Sequence, residues 1–261
     1  MKLQQNENSD GLKELFYNNQ GRLIHKWTSY FPVYERYFEQ YKNRPVTILE
    51  IGVFHGGSLQ MWKKYFGKKA IIYGLDIDPR CKSLEEENVK IFIGSQSDRK
   101  YLKWLKTQIP KVDIILDDGG HTMKQQRVSF EELIDHVKDD GIYMCEDCHT
   151  SYWPSFGGGY LRKGTFIEYS KKLIDYLNAW HTKQLTVNSF TQSVRSISFY
   201  DSIVVFEKMP MEKPQSIMTG TPSFIMGETK KNSLGRKFYL KGCRYCETIL
   251  AFLKLPSPSR K

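Results

Sequence analysis

Residues 46–58 read VTILEIGVFHGGS, and the order of residue types in that stretch decides the fold. Val46–Val53 is mostly β-branched and apolar, the composition of a strand buried on both faces. Gly56-Gly57 then lead into a helix near Ser58–Tyr65. The alternation continues outward. Ala70–Asp78 (AIIYGLDID), Val89–Ile93, Val112–Asp117 (VDIILD) and Gly141–Glu146 (GIYMCE) read as the second to fifth strands. An amphipathic helix with Phe130, Leu133, Ile134 and Val137 on one face follows the fourth strand, and a long helix over Phe166–Trp180 follows the fifth. Strand and helix alternating in this way predict a parallel sheet covered by helices on both faces. Val194–Phe199 and Ser202–Glu207, separated by Tyr200-Asp201, add a hairpin. The expected fold is therefore α/β, an open, mostly parallel sheet with an antiparallel edge hairpin. Before it, His25–Tyr41 reads as aromatic-rich and helical, broken at Pro32; after it, Pro210–Pro222 reads as a linker. This divides the chain into an N-terminal helical segment (1–45), a core (46–208) and a basic C-terminal extension (209–261).

The 261 residues, 40% hydrophobic, 26% charged and 14% aromatic, exclude collagen, coiled coil and wholesale disorder. The longest apolar run near the end, Ile249–Leu253, is far short of a membrane span. The polar N-terminus, MKLQQNENSDGL, lacks the apolar region of a signal peptide, and the expected location is cytoplasmic. Five cysteines fit reduced thiols better than a disulfide framework. The net charge of +10 is concentrated in residues 208–261, where 11 Lys/Arg face 3 Glu. A nucleic-acid enzyme carries its basic footprint beside its site, so no nucleic-acid partner is expected. The tail is instead a candidate for peripheral contact with a membrane or other anionic surface, or for docking on the body or on a second copy of the chain in a homo-oligomer.

In open α/β sheets, ligands bind at the carboxyl ends of the strands. The first strand ends Glu50-Ile51-Gly52, followed by Gly56-Gly57-Ser58. Phe54 stands where the dinucleotide fingerprint needs glycine. Glu50, Gly52, Gly56 and Ser58, with Asp76 placed to accept from ribose hydroxyls and Ser95-Gln96 after the third strand, resemble the S-adenosylmethionine pocket of class I methyltransferases. Asp117 closes the fourth strand on the same edge and joins this candidate set. The fourth and fifth strands end Asp117-Asp118-Gly119-Gly120-His121 and Glu146-Asp147-Cys148-His149. If they are neighbours, Asp118 and Asp147 face one another about 4.8 Å apart. Close carboxylates repel unless a proton or cation lies between them, and a hard divalent ion, most simply Mg²⁺, suits oxygen ligands.

His25-Lys26-Trp27, LEIGVFHGGSL (49–59), GLDID (74–78), ILDDGGH (115–121) and EDCHTSYWPSFGGG (146–159) together resemble one bacterial family over roughly residues 22–208. It comprises macrocin- and mycinamicin-type sugar O-methyltransferases, rhamnosyl O-methyltransferases and cephalosporin hydroxylase-like proteins. The resemblance implies a Rossmann-like seven-stranded methyltransferase sheet, S-adenosyl-L-methionine and Mg²⁺ as cofactors, and a small-molecule sugar or glycoside acceptor. It makes Asp118 and Asp147 metal ligands and His121 the general base. A third metal carboxylate comes from before the sheet, with Glu35 the nearest candidate. Cys148 stands where an apolar residue is expected, and the basic tail lies outside the resemblance.

Two other functions compete. His121, Asp147 and His149 could form the two-His-one-carboxylate site of a non-haem iron oxygenase, although this leaves the glycine loop and Asp76 without a ligand. A non-enzymatic binding domain with a surface-docking tail would hold no cofactor. Cys145-x-x-Cys148 and Cys243-x-x-Cys246 read as ordinary thiols in preference to halves of a zinc site. His25 and His55 read as locally packed, His136 as solvated. Tyr152-Trp153 fit either core packing or an apolar wall under a sugar ring.

Overall fold

The computed structural model describes residues 11–224 and Tyr245. Seven strands, β1 (Thr47–Ile51), β2 (Ile71–Asp76), β3 (Val89–Ile93), β4 (Val112–Asp117), β5 (Val137–Cys145), β6 (Val194–Phe199) and β7 (Val204–Lys208), form one sheet in the order β3-β2-β1-β4-β5-β7-β6. β1 to β5 run parallel, and β7 is antiparallel to both β5 and β6. The seven-stranded, mostly parallel sheet with an antiparallel edge pair is the expected one. Within residues 11–224 the α-helices are α1 (Leu12–Tyr17), α2 (Phe31–Phe38), α3 (Gly57–Phe66), α4 (Arg99–Gln108), α5 (Met123–Leu133), α6 (Phe166–Leu177) and α7 (Ser189–Ser193).

Successive strand residues point to opposite faces, and both faces are covered. Ile48, Ile72, Ile114 and Met144 pack under α1, α2 and α3, whereas Leu49, Leu75, Ile115 and Tyr143 pack under α4, α5 and α6. The N-terminal segment belongs to the first of these cores. Leu12, Phe31, Tyr34 and Phe38 are buried there, and Trp62 of α3 meets the rings of Tyr34 and Phe38 edge-on at 5.3 and 5.5 Å.

Several local expectations are corrected. Pro32 sits in the first turn of α2, where its missing N–H costs nothing, so it starts the helix and does not break one. Ile134 and Val137 leave the helix that carries Phe130 and Leu133: α5 ends at Leu133, and Val137 opens β5, four residues earlier than Gly141 suggested. Gly141 lies inside β5, where a Cβ would come within 2.4 Å of the Asp113 carbonyl oxygen, so the position requires glycine. α6 stops at Leu177, short of Trp180. The hairpin turns on Asp201-Ser202, with Ser202 at φ 63° and Tyr200 N–H donating to Ile203 O at 2.8 Å, so β7 starts at Val204. His136 is buried at 8% exposure, and burial lowers its pKa. Among the described residues no helix is long and apolar enough to cross a membrane. Cys243, Cys246 and the apolar stretch 247–255 of the basic tail lie outside the described residues.

Trp62→Ala should cost about 3–5 kcal/mol, because it empties a fully buried aromatic site between α2 and α3. Equilibrium urea denaturation measures it. A loss below about 1 kcal/mol would show that α2 packs on the sheet without depending on this contact.

Candidate active site

Parallel register aligns the ends of the central strands, with Ile51 beside both Leu75 and Asp117, and Asp117 beside Cys145. One cavity of about 680 Å³ opens along this edge, from Ile77, Leu84 and the 52–58 loop to His121 and Asp147. Gly52 adopts φ 93°, and a Cβ there would lie 2.0 Å from the Asp118 carbonyl oxygen, so only glycine lets the β1 and β4 loops meet. Gly56, at φ 73°, starts α3. Asp76 Oδ2 accepts from Val53 N–H (2.8 Å) and Phe54 N–H (3.0 Å), and Oδ1 accepts from Asp78 N–H (2.9 Å). The carboxylate therefore shapes the loop that borders the cavity while retaining acceptor capacity. Gln96 ties the next loop in place: its Nε2 donates to Asp117 Oδ1 at 2.9 Å, and its Oε1 accepts from Gly120 N–H at 2.7 Å.

The electrostatic centre lies at the other end. Lys26, its side chain 2% exposed, places Nζ 2.6 Å from Asp118 Oδ2, 3.0 Å from Glu146 Oε2 and 3.8 Å from Glu50 Oε1. Burial would lower the lysine pKa, but the three carboxylates outweigh it and raise it. Burial pushes Glu50 up to about 7, against the pull of Lys26, and Glu146 well above the usual carboxylate range. Tyr34 OH donates to Glu146 Oε1 (2.5 Å) and Tyr30 OH to Asp147 Oδ1 (2.6 Å). The remaining oxygens, Asp118 Oδ1 and Asp147 Oδ2, lie 3.8 and 3.4 Å from His121 Nε2. Asp118, His121 and Asp147 each offer a ligand atom, all within 4.8 Å of one another. His121 (φ 56°) and Asp147 (φ 51°) are both left-handed, a conformation costly for residues with side chains and one that clusters at functional sites. Thr150 Oγ1 ties both turns together, its one proton shared between the His121 carbonyl (2.8 Å) and the Asp147 carbonyl (2.9 Å).

Gly52, Ser58, Asp76, Ser95, Gln96, Asp118, His121 and Asp147 all line the cavity. Glu50, Gly56 and Asp117 do not: Gly56 caps α3 beside the lining, and the two acids are buried, Glu50 accepting from Ser58 Oγ (3.0 Å) and Asp117 from Tyr143 OH (2.7 Å). Glu35 is a correction. Its carboxylate lies beside Gly11 and raises the pKa of Tyr65, on α2 and away from the cavity lining, because α2 directs Tyr34 toward Glu146 instead. His149 is not part of the metal-competent trio. Its Nδ1 meets Ser202 Oγ at 3.0 Å and lies 4.0 Å from Asp147 Oδ1. Cys145 and Cys148 are buried free thiols. Trp153, 44% exposed, packs edge-on against His149 at 4.6 Å, outside the core. Sequence reasoning assigned no role to Lys26, Tyr30, Tyr34 or Glu146. The available signals were a lysine between aromatic residues (His25-Lys26-Trp27) and the tandem Glu146-Asp147.

The donor set fits a hard cation. Among the described residues Asp118 Oδ1 and Asp147 Oδ2 meet no polar partner but His121 Nε2, and the nitrogen of His121 is the poorer ligand for such an ion. The sheet order, the glycine loop over β1 and the acid ending β2 define the methyltransferase fold. No protein-family model matches the chain. The chain is 40% identical to demethylmacrocin O-methyltransferase of Streptomyces fradiae over 52% of its own length and 36% of that protein. It is 31% identical to 8-demethyl-8-(2-methoxy-alpha-L-rhamnosyl)-tetracenomycin-C 3'-O-methyltransferase of Streptomyces olivaceus, over 70% of the chain and 50% of the relative. The structure of MycE methyltransferase from the mycinamycin biosynthetic pathway, in complex with Mg, SAH and mycinamycin VI, matches with TM-score 0.68 and 32% identity, over 77% of this chain and 54% of that one. The resemblance to sugar O-methyltransferases is thus borne out, although the chain spans half or less of the curated relatives it matches.

Glu50 gives the site a pH signature. Between about 4.5 and about 7 the unfolded chain has released this proton while the folded chain keeps it, so stability falls as pH rises through that window. In EDTA, wild type should therefore lose stability relative to Glu50→Gln from about pH 4.5 to about pH 7. Urea titrations of both proteins at several pH values measure the difference, and parallel curves would mean that Glu50 is ionised throughout.

Proposed function

We propose that the chain is an S-adenosylmethionine-dependent, Mg²⁺-assisted O-methyltransferase acting on a hydroxyl of a sugar or glycosylated small molecule. The cavity along the strand ends carries this reading, because it joins the Gly52–Ser58 loop and Asp76 at one end to Asp118, His121 and Asp147 at the other. Residues 46–208 supply the donor pocket, 1–45 contribute Lys26 and the tyrosines, and 209–261 form an extension. Asp76 accepts from the donor's ribose hydroxyls, backbone at Gly52 borders its amino-acid portion, with Gly56 turning the loop into α3, and Ser95 and Gln96 border its adenine.

Asp118 and Asp147 hold Mg²⁺, whose chemistry when bound is to lower the pKa of an acceptor hydroxyl and fix its direction. His121, 20% exposed at its side chain, reaches the same crevice and takes the hydroxyl proton at Nε2. The burial of Lys26, Glu50 and Glu146 under this crevice keeps water from the carboxylates' far side. A two-His-one-carboxylate iron site is not favoured, since the assembled trio contains one histidine and two carboxylates.

The donor reading is tested by calorimetric titration with S-adenosylhomocysteine. Wild type should bind, and Asp76→Ala should lose about 2–3 kcal/mol of affinity through the lost charge-assisted hydrogen bonds. Unchanged affinity in the variant would remove ribose recognition from Asp76.

Turnover is tested on a panel of glycosides that includes demethylmacrocin. On any acceptor that reacts, His121→Ala should lower kcat by about 10²–10⁴ with S-adenosylhomocysteine affinity unchanged. A variant with wild-type kcat would place the base elsewhere.

A further inference from the structure

Each of the two cavity carboxylates has one oxygen already taken, and both times by the N-terminal segment. Lys26 Nζ holds Asp118 Oδ2 at 2.6 Å, and Tyr30 OH holds Asp147 Oδ1 at 2.6 Å. The donors stand four residues apart: Lys26 lies two residues before the short 3₁₀ turn Thr28–Tyr30, and Tyr30 ends that turn as the N-cap of α2. Both are buried, Tyr30 at 1% exposure. Their other neighbours fix them further: Lys26 is shared with Glu146, and the Tyr30 ring packs edge-on against Tyr34 at 6.2 Å. The oxygens left over are those that point at the space beside His121 Nε2.

From this we infer that Lys26 and Tyr30 are positioning residues that make Asp118 and Asp147 each offer a single oxygen to the cation, and so select a small octahedral ion over a larger one. The inference rests on the metal-assisted reading above. Mg²⁺ requires near-ideal octahedral geometry and few, single-oxygen protein ligands, whereas Ca²⁺ accepts six to eight oxygens and readily takes a carboxylate through both. A carboxylate held at one oxygen by a buried donor resists the rotation that bidentate binding needs, and that oxygen already shares its electron density with the donor. The clamp therefore disfavours Ca²⁺ more than Mg²⁺. Hydrogen-bond partners of metal ligands commonly change metal affinity by about 10- to 100-fold when removed, which is large enough to measure.

Tyr30→Phe removes one hydroxyl and keeps the ring. The full chain, wild type and variant, is titrated calorimetrically with MgCl₂ and separately with CaCl₂, after thermal melts in EDTA confirm that both are folded. Wild type should prefer Mg²⁺. Tyr30→Phe should lose about tenfold in Mg²⁺ affinity and much less for Ca²⁺, so the Mg²⁺/Ca²⁺ preference falls. Lys26→Met frees Asp118 Oδ2 and should move the ratio the same way, but it leaves three carboxylates without their counter-ion, so Tyr30→Phe decides. A variant that keeps the wild-type ratio, or loses both ions equally, overturns the inference and leaves the metal site standing. A wild type that binds neither ion overturns the metal-assisted reading and the inference with it.

Discussion

A lysine buried among three carboxylates is the constraint on which the rest of the site depends. Lys26 offers one positive charge to Asp118, Glu50 and Glu146, so the group carries surplus negative charge unless protons or a cation offset it. Burial raises the two glutamates, which lets one of them keep a proton near neutral pH and relieves part of that surplus. The less buried Asp118, and Asp147 beside it, remain to meet a cation. Removing one member of such a buried group typically costs about 3–5 kcal/mol, because the others are left uncompensated. The N-terminal segment is thus bound to the sheet by charge as well as by the aromatic packing of α2 on α3.

The two ends of the cavity are mechanically joined. Gly52 approaches the Asp118 carbonyl so closely that any side chain would displace it, while Asp118 N–H donates to Ile51 O at 2.9 Å. Gln96 reaches from the β3 loop to Asp117 and Gly120. A shift of the loop after β1 is therefore felt by Asp118, the carboxylate that opens the loop after β4. Interiors packed this tightly transmit small displacements and do not absorb them.

The sheet was legible in the sequence because period and composition report burial on both faces, and all seven strands were located. Their ends were less legible. Val137 reads as helical on apolar spacing and belongs to β5, since tertiary pairing with Val112 overrides the local pattern. Asp76, Asp118, His121 and Asp147 could be found because chemistry-bearing residues at the carboxyl ends of parallel strands must converge. The roles of Lys26 and Tyr30 were harder to assign, because their hydrogen-bond partners lie 92 to 120 residues away, and nothing local to HKWTSY specifies which carboxylate each will meet. Glu35 was chosen on proximity to the sheet in sequence. The helix phase of α2 instead directs Tyr34 to Glu146 and leaves Glu35 at the side of Gly11.

The separation of Lys26 from Glu146 also orders events at the ribosome. The lysine is synthesised 120 residues before that partner. At about 5–20 residues per second it waits roughly 6–24 s for it. During that interval β1, β2 and β3 can pair with their near neighbours, but Lys26 has only Glu50, then Asp118, to offset its burial. The aromatic residues of α2 can pack on α3 early, whereas the charged anchor closes only when β5 emerges. A nascent chain that has released β4 but not yet β5 therefore holds a partly formed sheet with an exposed β4 edge, the state in which a chaperone or a second nascent chain finds it most readily.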